Sequence, residues 1–276
     1  EPFISDADTL DWLSATAVRE GSTLRAHLYV DTGMTRNGCL PDDATALAQS
    51  IESADSVELV GLASHLARSD DSDPEPTRRQ NSIFDEVRRT LADNGISPPD
   101  VHLANSGGIL TFPQTHGTLV RPGIALYGYH PNSAENGNSG LRPVMSVVSK
   151  ISSLRTVPAR TPVSYGETWH TPTRRVIATI PIGYGDGIAR SFSSRLRVDV
   201  DGRIVPVVGT ICMDELMIDL GTPDEAAEHA VGDRVALFGG PETSQQNAWD
   251  LAEQIGTIPY EVTTSLSARV PRRAVD

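Results

Sequence analysis

The chain has 276 residues, a formal net charge of −13 and a hydrophobic fraction of 38%, the proportions of a globular protein large enough for two domains. With 36 acidic against 23 basic residues and no Lys/Arg cluster, it carries no electrostatic footprint for a nucleic acid or an anionic membrane, so small-molecule chemistry is the expectation. No apolar run approaches the roughly 20 residues of a membrane span, and the first residues lack the basic-then-apolar plan of a signal peptide. Cys39 and Cys212 are far apart and without metal-binding spacing, which argues against a disulfide framework or a zinc site and fits a reducing cytoplasm.

Elements alternate from the start. Ser5 with Asp8 three residues on reads as a capping signal for a helix that carries Leu10, Leu13 and Ala17 on one face and stops at Gly21. The strand TLRAHLYVD follows, then a helix from about Asp43 to Ala54 with Leu47 and Ile51, then the strand VELVGLASH. A helix from about Thr77 to Asn94 puts Ile83, Val87 and Leu91 on one stripe and ends at Gly95. DVHLANS and GTLVRPGI read as two more short strands.

Strands alternating with helices imply βα units and a parallel sheet. The polar strand ends DTGMTR, SHLARSD, ANSGG and RPG are where an α/β barrel places its chemistry. Four such strands precede a change of composition, whereas a closed eight-stranded barrel takes roughly 250 residues; residues 1–130 are therefore expected to form half a barrel. Residues 131–140 are polar and rich in Gly, Asn and Ser, as a linker would be. Beyond them, in 141–276, VMSVVSKISSLRTV, RVIATIPI, RLRVDV, RIVPVVG, ELMIDL and RVALFG read as strands, with NAWDLAEQIG as the one longer helix. The expected fold class is α/β plus all-β, the second domain a β-barrel or sandwich.

Singly, the polar motifs are ambiguous. Arg36, in a loop after the first long strand, could grip a carboxylate through its planar fork or simply be solvated. His65 ends the next strand and has no partner at metal spacing; a structural role is open to it, and no metal site is expected. HLANSGG, with His102, Asn105 and Ser106, could present a hydroxyl and backbone N–H groups to a phosphate, yet Asn, Ser and Gly are also ordinary turn residues. RPGIALYG adds Arg121 and Gly123 at a neighbouring strand end, and paired phosphate loops recur in the last strands of α/β barrels. Met213, Tyr165 and Tyr260 each read equally well as core or as site.

Taken in order, DTGMTRNG, HLANSGG, RPGIALYG, PVSYGETW, IGYGDGIAR, GTICMDELMIDL, GDRVALFG, GTIPYEV and ARVPR resemble segments of alanine racemases, pyridoxal-phosphate (PLP) enzymes of the α/β-barrel type. The resemblance implies the C-terminal half of a PLP-binding (β/α)8 barrel followed by a β-rich domain. It implies PLP as cofactor, a small amino-acid substrate, and interconversion of L- and D-alanine that supplies peptidoglycan. It also implies a homodimer with shared active sites, the β domain of one chain capping the barrel mouth of the other.

By the same resemblance Tyr165 is one of two bases acting on opposite faces of Cα. A phenol, with a reference pKa of about 10, is a poor base at neutral pH unless its neighbours help, and His65 and Arg121 match the residues that do so. Arg121 also matches the arginine facing the pyridine nitrogen; because a guanidinium only donates, that nitrogen stays unprotonated and the cofactor is a weaker electron sink. His102 matches the residue orienting this arginine. Ser106, Gly123, Ile124 and Tyr260 match the phosphate-holding set, and Arg36 with the backbone of Met213 the groups that receive the substrate carboxylate.

Two features depart from the family. The PLP-binding lysine, expected in a VVKANAYGHG-like segment at the end of the first barrel strand, has no counterpart, and the sole lysine is Lys150 in the β domain; the expectation is that the N-terminal half of the barrel is absent from these residues. Tyr29 stands where many relatives have a carbamylated lysine that positions the substrate-binding arginine, so Arg36 must be held by Asp31, a solvent anion or the Tyr29 hydroxyl. The alternatives are a racemase of serine or another amino acid, a barrel decarboxylase, disfavoured because its pyridine nitrogen faces an acidic residue, and a truncated non-catalytic homologue or interaction module.

Overall fold

The two apolar runs expected as strands become the inner strands of a parallel sheet. In this computed structural model, which describes residues 1–240 and 243–275, the sheet runs in the order β1 (Phe3–Ile4), β2 (Leu24–Tyr29), β3 (Val57–Ala63) and β4 (Asp100–His102). β2 and β3 are buried almost without alternation, the pattern of strands covered on both faces. The helices α1 (Ala7–Arg19), α2 (Ala44–Glu52) and α3 (Glu75–Asp93) intervene. Leu10, Leu13, Leu47, Ile51, Phe84 and Leu91 pack with Leu28, Leu59 and Leu62 in one core. The chain divides into two compact units, Glu1–Leu126 with His130–Gly140, and Tyr127–Tyr129 with Leu141–Asp276.

Several expectations need correction within the first unit. The cap of α1 is Asp6, not Ser5: its carboxylate accepts from Thr9 N at 2.7 Å, and a charged acceptor at a helix N-terminus outcompetes a hydroxyl one residue earlier. Phe3–Ile4, unforeseen, forms β1 by parallel pairing with His27 and Leu28. GTLVRPGI forms no strand. Its N–H groups bond singly to β4 and the loop beyond it, through Thr118 to Val101 O and Arg121 to Ala104 O; Gly117 sits at φ +64 and Pro122 has no N–H to extend a ladder. The buried stripe of α3 is Thr77, Gln80, Phe84, Val87 and Leu91, so Phe84 takes the place expected of Ile83. Residues 106–111 and 133–136 form the short helices α4 (Ser106–Thr111) and α5 (Ser133–Asn136), and the polar 130–140 segment belongs to the first unit.

The second unit is β-rich and antiparallel. β5 (Val147–Lys150), β10 (Arg197–Val200), β11 (Arg203–Pro206) and β13 (Arg234–Phe238) form one sheet; β6 (Ser153–Val157), β9 (Arg175–Ile180) and β12 (Leu216–Asp219) form a second; β7 (Pro162–Val163) pairs β8 (Trp169–His170). VMSVVSKISSLRTV is thus two strands, because Ile151 N bonds Asp233 O while Ser152 N bonds Thr179 O, and the chain changes sheet between them. Buried Asp219 takes both Nε and Nη2 of Arg175, at 3.0 and 2.8 Å to Oδ2. α6 (Ala248–Ile255) starts at Asn247 in a capping box with Asp250, and α7 (Pro259–Thr264) follows. Among the described residues no helix is long and apolar enough to cross a membrane.

Candidate active site

Beyond the C-terminal end of β4 the chain turns back so that Arg121 lies among strand-end carbonyls. Its Nη1 donates to His102 Nδ1 and to His102 O at 3.0 Å. Its Nη2 donates to Ser64 O at 2.5 Å and Leu103 O at 3.3 Å, and lies 3.4 Å from His65 Nδ1. Nε alone makes no hydrogen bond among the described residues. The guanidinium is thereby fixed in orientation with one N–H still to offer.

Both imidazoles beside it are held neutral. Burial, then the charge of Arg121, lowers the pKa of His102 to about 4, with His27 adding to it; His65 falls to about 4 from burial, Arg121 and then Arg36. Each can therefore accept from a donor-only guanidinium at neutral pH.

Ser106, 2% exposed, starts α4. Its Oγ accepts from Gly123 N at 2.8 Å and Ala125 N at 3.2 Å. A hydroxyl has two lone pairs and one proton, so both acceptor positions are filled and the O–H remains free to donate. Asn105, by contrast, is structural: its Oδ1 caps α4 at Gly108 N and accepts from Ser69 Oγ at 2.6 Å. Buried Ile124 continues from Gly123. The first unit thus brings together His65, His102 and Arg121 as one cluster, and Ser106, Gly123 and Ile124 as a second joined to it by the 121–124 turn.

Arg36 is exposed and makes no hydrogen bond or ion pair among the described residues. Asp31 does not hold it, for its Oδ1 accepts from Gly33, Met34 and Thr35 N at 2.9, 2.8 and 3.1 Å. Burial acts upward on that carboxyl, but these three amides outweigh it and its pKa is lowered. Nor does Tyr29 bond Arg36; its ring is buried against Phe3, centroids 4.8 Å apart.

Tyr165, Met213 and Tyr260 belong to the second unit. Tyr165 is 73% exposed on a turn where Ser164, Gly166 and Glu167 have φ of 67°, 76° and 49°. Two of these three are not glycine, a conformation costing about 1–3 kcal/mol each. The turn is stitched by Ser164 Oγ donating to Thr210 O and Thr210 Oγ1 donating to Tyr165 O. With Ser164, Arg155, Cys212 and Met217, Tyr165 lines an open cavity of about 480 Å³. Met213 is 52% exposed; its carbonyl takes Gly185 N at 2.8 Å, and its own N–H makes no hydrogen bond among the described residues. Tyr260 stands in the first turn of α7, and its carbonyl accepts from Thr264 Oγ1 at 2.7 Å.

Residues 1–131 match the family model "Alanine racemase, N-terminal domain" and residues 144–274 the model "Alanine racemase, C-terminal domain". The chain belongs to the alanine racemase family. It is 38% identical over 282 residues to the alanine racemase of Treponema denticola, covering all of this chain and 73% of that one. It is 40% identical to that of Desulfovibrio desulfuricans, over 99% of this chain and 72% of the relative. The crystal structure of the alanine racemase from D-cycloserine-producing Streptomyces lavendulae superposes with a TM-score of 0.91 at 36% identity, covering 98% of this chain and 71% of that one.

As an alanine racemase family member the chain is an isomerase acting on amino acids, with the family's N-terminal domain followed by its β-rich C-terminal domain. The match over residues 1–131 does not support the expectation that the N-terminal half of the barrel is missing. Sequence reasoning also passed over residues that build the cluster. Ser64 and Leu103 act through backbone carbonyls, which no side chain announces. Gln80 is buried on α3, where its Oε1 accepts from Ala67 N at 2.8 Å and its Nε2 donates to His65 O at 2.9 Å; a polar residue at a core position of the helical stripe was the available signal. His27 is a third.

Proposed function

We propose that this chain carries out the PLP-dependent interconversion of L- and D-alanine that supplies D-alanine for peptidoglycan, in the cytoplasm. The observation that carries the reading is Arg121: a guanidinium clamped by two neutral histidines and three carbonyls, with only its Nε–H uncommitted. The donor set fits PLP. Arg121 would meet the pyridine nitrogen as an N–H and keep a proton off it, with His102 orienting it. The Ser106 hydroxyl and the Gly123–Ile124 turn, with Tyr260, would hold the phosphate. When bound, PLP supplies the electron sink that lets the Cα proton of the amino acid leave.

Tyr165 would remove that proton from L-alanine on one face of Cα and, in the reverse direction, give a proton back to that same face, the opposite face being served by the second base, with His65 and Arg121 in its network. Its exposure on a strained turn supports this, since strain of that kind is kept where geometry matters. Arg36 and the Met213 N–H, both without a hydrogen bond among the described residues, would receive the substrate carboxylate. A homodimer with shared sites follows in the same reading, supported by exposed apolar side chains of the second unit, Tyr165 and Met213 among them. Lys150, the sole lysine of these 276 residues, is an exposed residue of β5 in the second unit and has no part in the Arg121 cluster.

The test is Tyr165→Phe in the complete polypeptide. Exchange of the L-alanine Cα proton with solvent deuterium should slow by roughly 10²–10⁴-fold, the range for loss of a general base, while PLP absorbance persists. Equal retention of exchange from both enantiomers would refute the assignment.

A further inference from the structure

The histidine that holds Arg121 is itself held. His102 Nε2 lies 2.9 Å from His27 Nδ1, and His27 Nε2 lies 3.1 Å from Glu1 Oε2. Glu1 Oε1 in turn pairs with Arg25 Nη1 at 2.9 Å, and Arg25 is 4.0 Å from Glu58. The line runs from the 121 turn through β4 and β2 to Glu1, two residues before β1, with both imidazoles buried, His102 at 4% and His27 at 5% exposure. Phe3 is its aromatic neighbour, ring centroids 5.7 Å from His27 and 6.0 Å from His102.

Donor and acceptor logic gives this line one direction. Arg121 has only N–H to offer, so His102 Nδ1 accepts. A neutral imidazole that accepts at Nδ1 carries its proton at Nε2, so His102 donates to His27 Nδ1. His27 then carries its own proton at Nε2, and that proton meets a carboxylate, which only accepts. Reversing any single tautomer sets two N–H groups, or two lone pairs, against each other at a neighbouring link. A carboxylate that fixes the tautomer of a working histidine is an established device in proteases and metal sites; here it acts through a second imidazole.

A separate feature shows that the fold makes room for the ring of His27. Gly61 of β3 pairs with His27 of β2, and a Cβ placed there would stand 1.8 Å from His27 Nδ1. Gly61 has no positive φ to require glycine, and glycine weakens a strand interior. The absent side chain is the space that the imidazole fills.

We infer that Glu1 and His27 are positioning residues of the reaction, a one-way hydrogen-bond chain that locks His102 as an acceptor and thereby aims the remaining N–H of Arg121. This rests on the role proposed above for Arg121. The experiment uses the complete polypeptide with ring-15N histidine, and reads His27 and His102 by long-range 1H–15N correlation before PLP is added. At pH 7 both should be in the Nε2–H form. In Glu1→Gln the amide can donate as well as accept, so the Nδ1–H form of His27 should rise roughly tenfold, the worth of one charge-assisted hydrogen bond. Once loaded, that variant should lose roughly as much in kcat with KM for alanine nearly unchanged, and Glu1→Asp should restore part of both. An Nδ1–H His102 in the parent, or a Glu1→Gln variant with unaltered tautomers and kcat, overturns the inference. A parent with the predicted tautomers that does not racemise alanine refutes the proposed function and leaves the chain of hydrogen bonds standing.

Discussion

Gly61→Ala is the substitution whose sign the structure decides against the usual rule. A glycine outside the left-handed region, replaced by alanine, ordinarily stabilises by about 0.4–1 kcal/mol, because the unfolded chain loses freedom. Here the new methyl would stand 1.8 Å from Nδ1, 2.5 Å from Cε1 and 2.6 Å from Cγ of His27, and the ring must leave a packed interior. Displacing it costs about 1–3 kcal/mol in overpacking. The Nε2–H of buried His102 is left unpaired at a further ~1–3 kcal/mol. Subtracting the entropic gain leaves a net loss of about 3 kcal/mol, or a Tm lowered by about 6–12 °C for a protein of this size. Thermal melts and urea titrations of parent and variant measure it. In a His27→Ala background, which removes the ring, the same change should be neutral or stabilising. A Gly61→Ala protein as stable as the parent, or more so, would refute the packing and tautomer reasoning together.

Other outcomes follow from the same geometry. Ser106→Ala removes the acceptor of two amides, Gly123 N and Ala125 N; stability should fall by about 1–3 kcal/mol, and PLP retention, followed by absorbance during dialysis, by roughly tenfold. Stability should also depend on pH through His102 and His65, whose folded-state pKa values are about 4 against about 6.5 when unfolded. Between those values the unfolded chain binds more protons, so stability is full above pH 6.5 and is lost as pH falls towards 4. Buried His102 alone accounts for on the order of 3 kcal/mol, with half-buried His65 adding less. Urea midpoints at pH 7, 6, 5 and 4 read this directly, and His102→Gln should flatten the profile.

What the sequence disclosed, and what it hid, divides along physical lines. Periodicity located α1, α2 and α3 and the strands β2, β3, β9, β10, β11, β12 and β13, because burial of one face or of a whole strand leaves its mark in every few residues. It overread GTLVRPGI, where apolar residues serve a turn closed by glycine and proline, and it fused β5 with β6, since one continuous apolar run can serve two sheets. Motif order disclosed Arg121, His102, His65 and Ser106, which chemistry restricts to particular side chains. The Ser64 and Leu103 carbonyls that clamp Arg121 could not be read, since every residue has one. Nor could the pairing of His27 with Gly61 and Glu1, which depends on strand register rather than on proximity in sequence.

The most direct measurement is the fate of the Cα hydrogen. Incubated with PLP and L-alanine in deuterium oxide, the complete polypeptide should produce D-alanine carrying deuterium at Cα, with L-alanine acquiring the label as the two forms reach equal amounts. L-alanine that keeps its hydrogen, with no D-alanine formed by a protein that has bound PLP, would contradict the assignment of this chain as an alanine racemase.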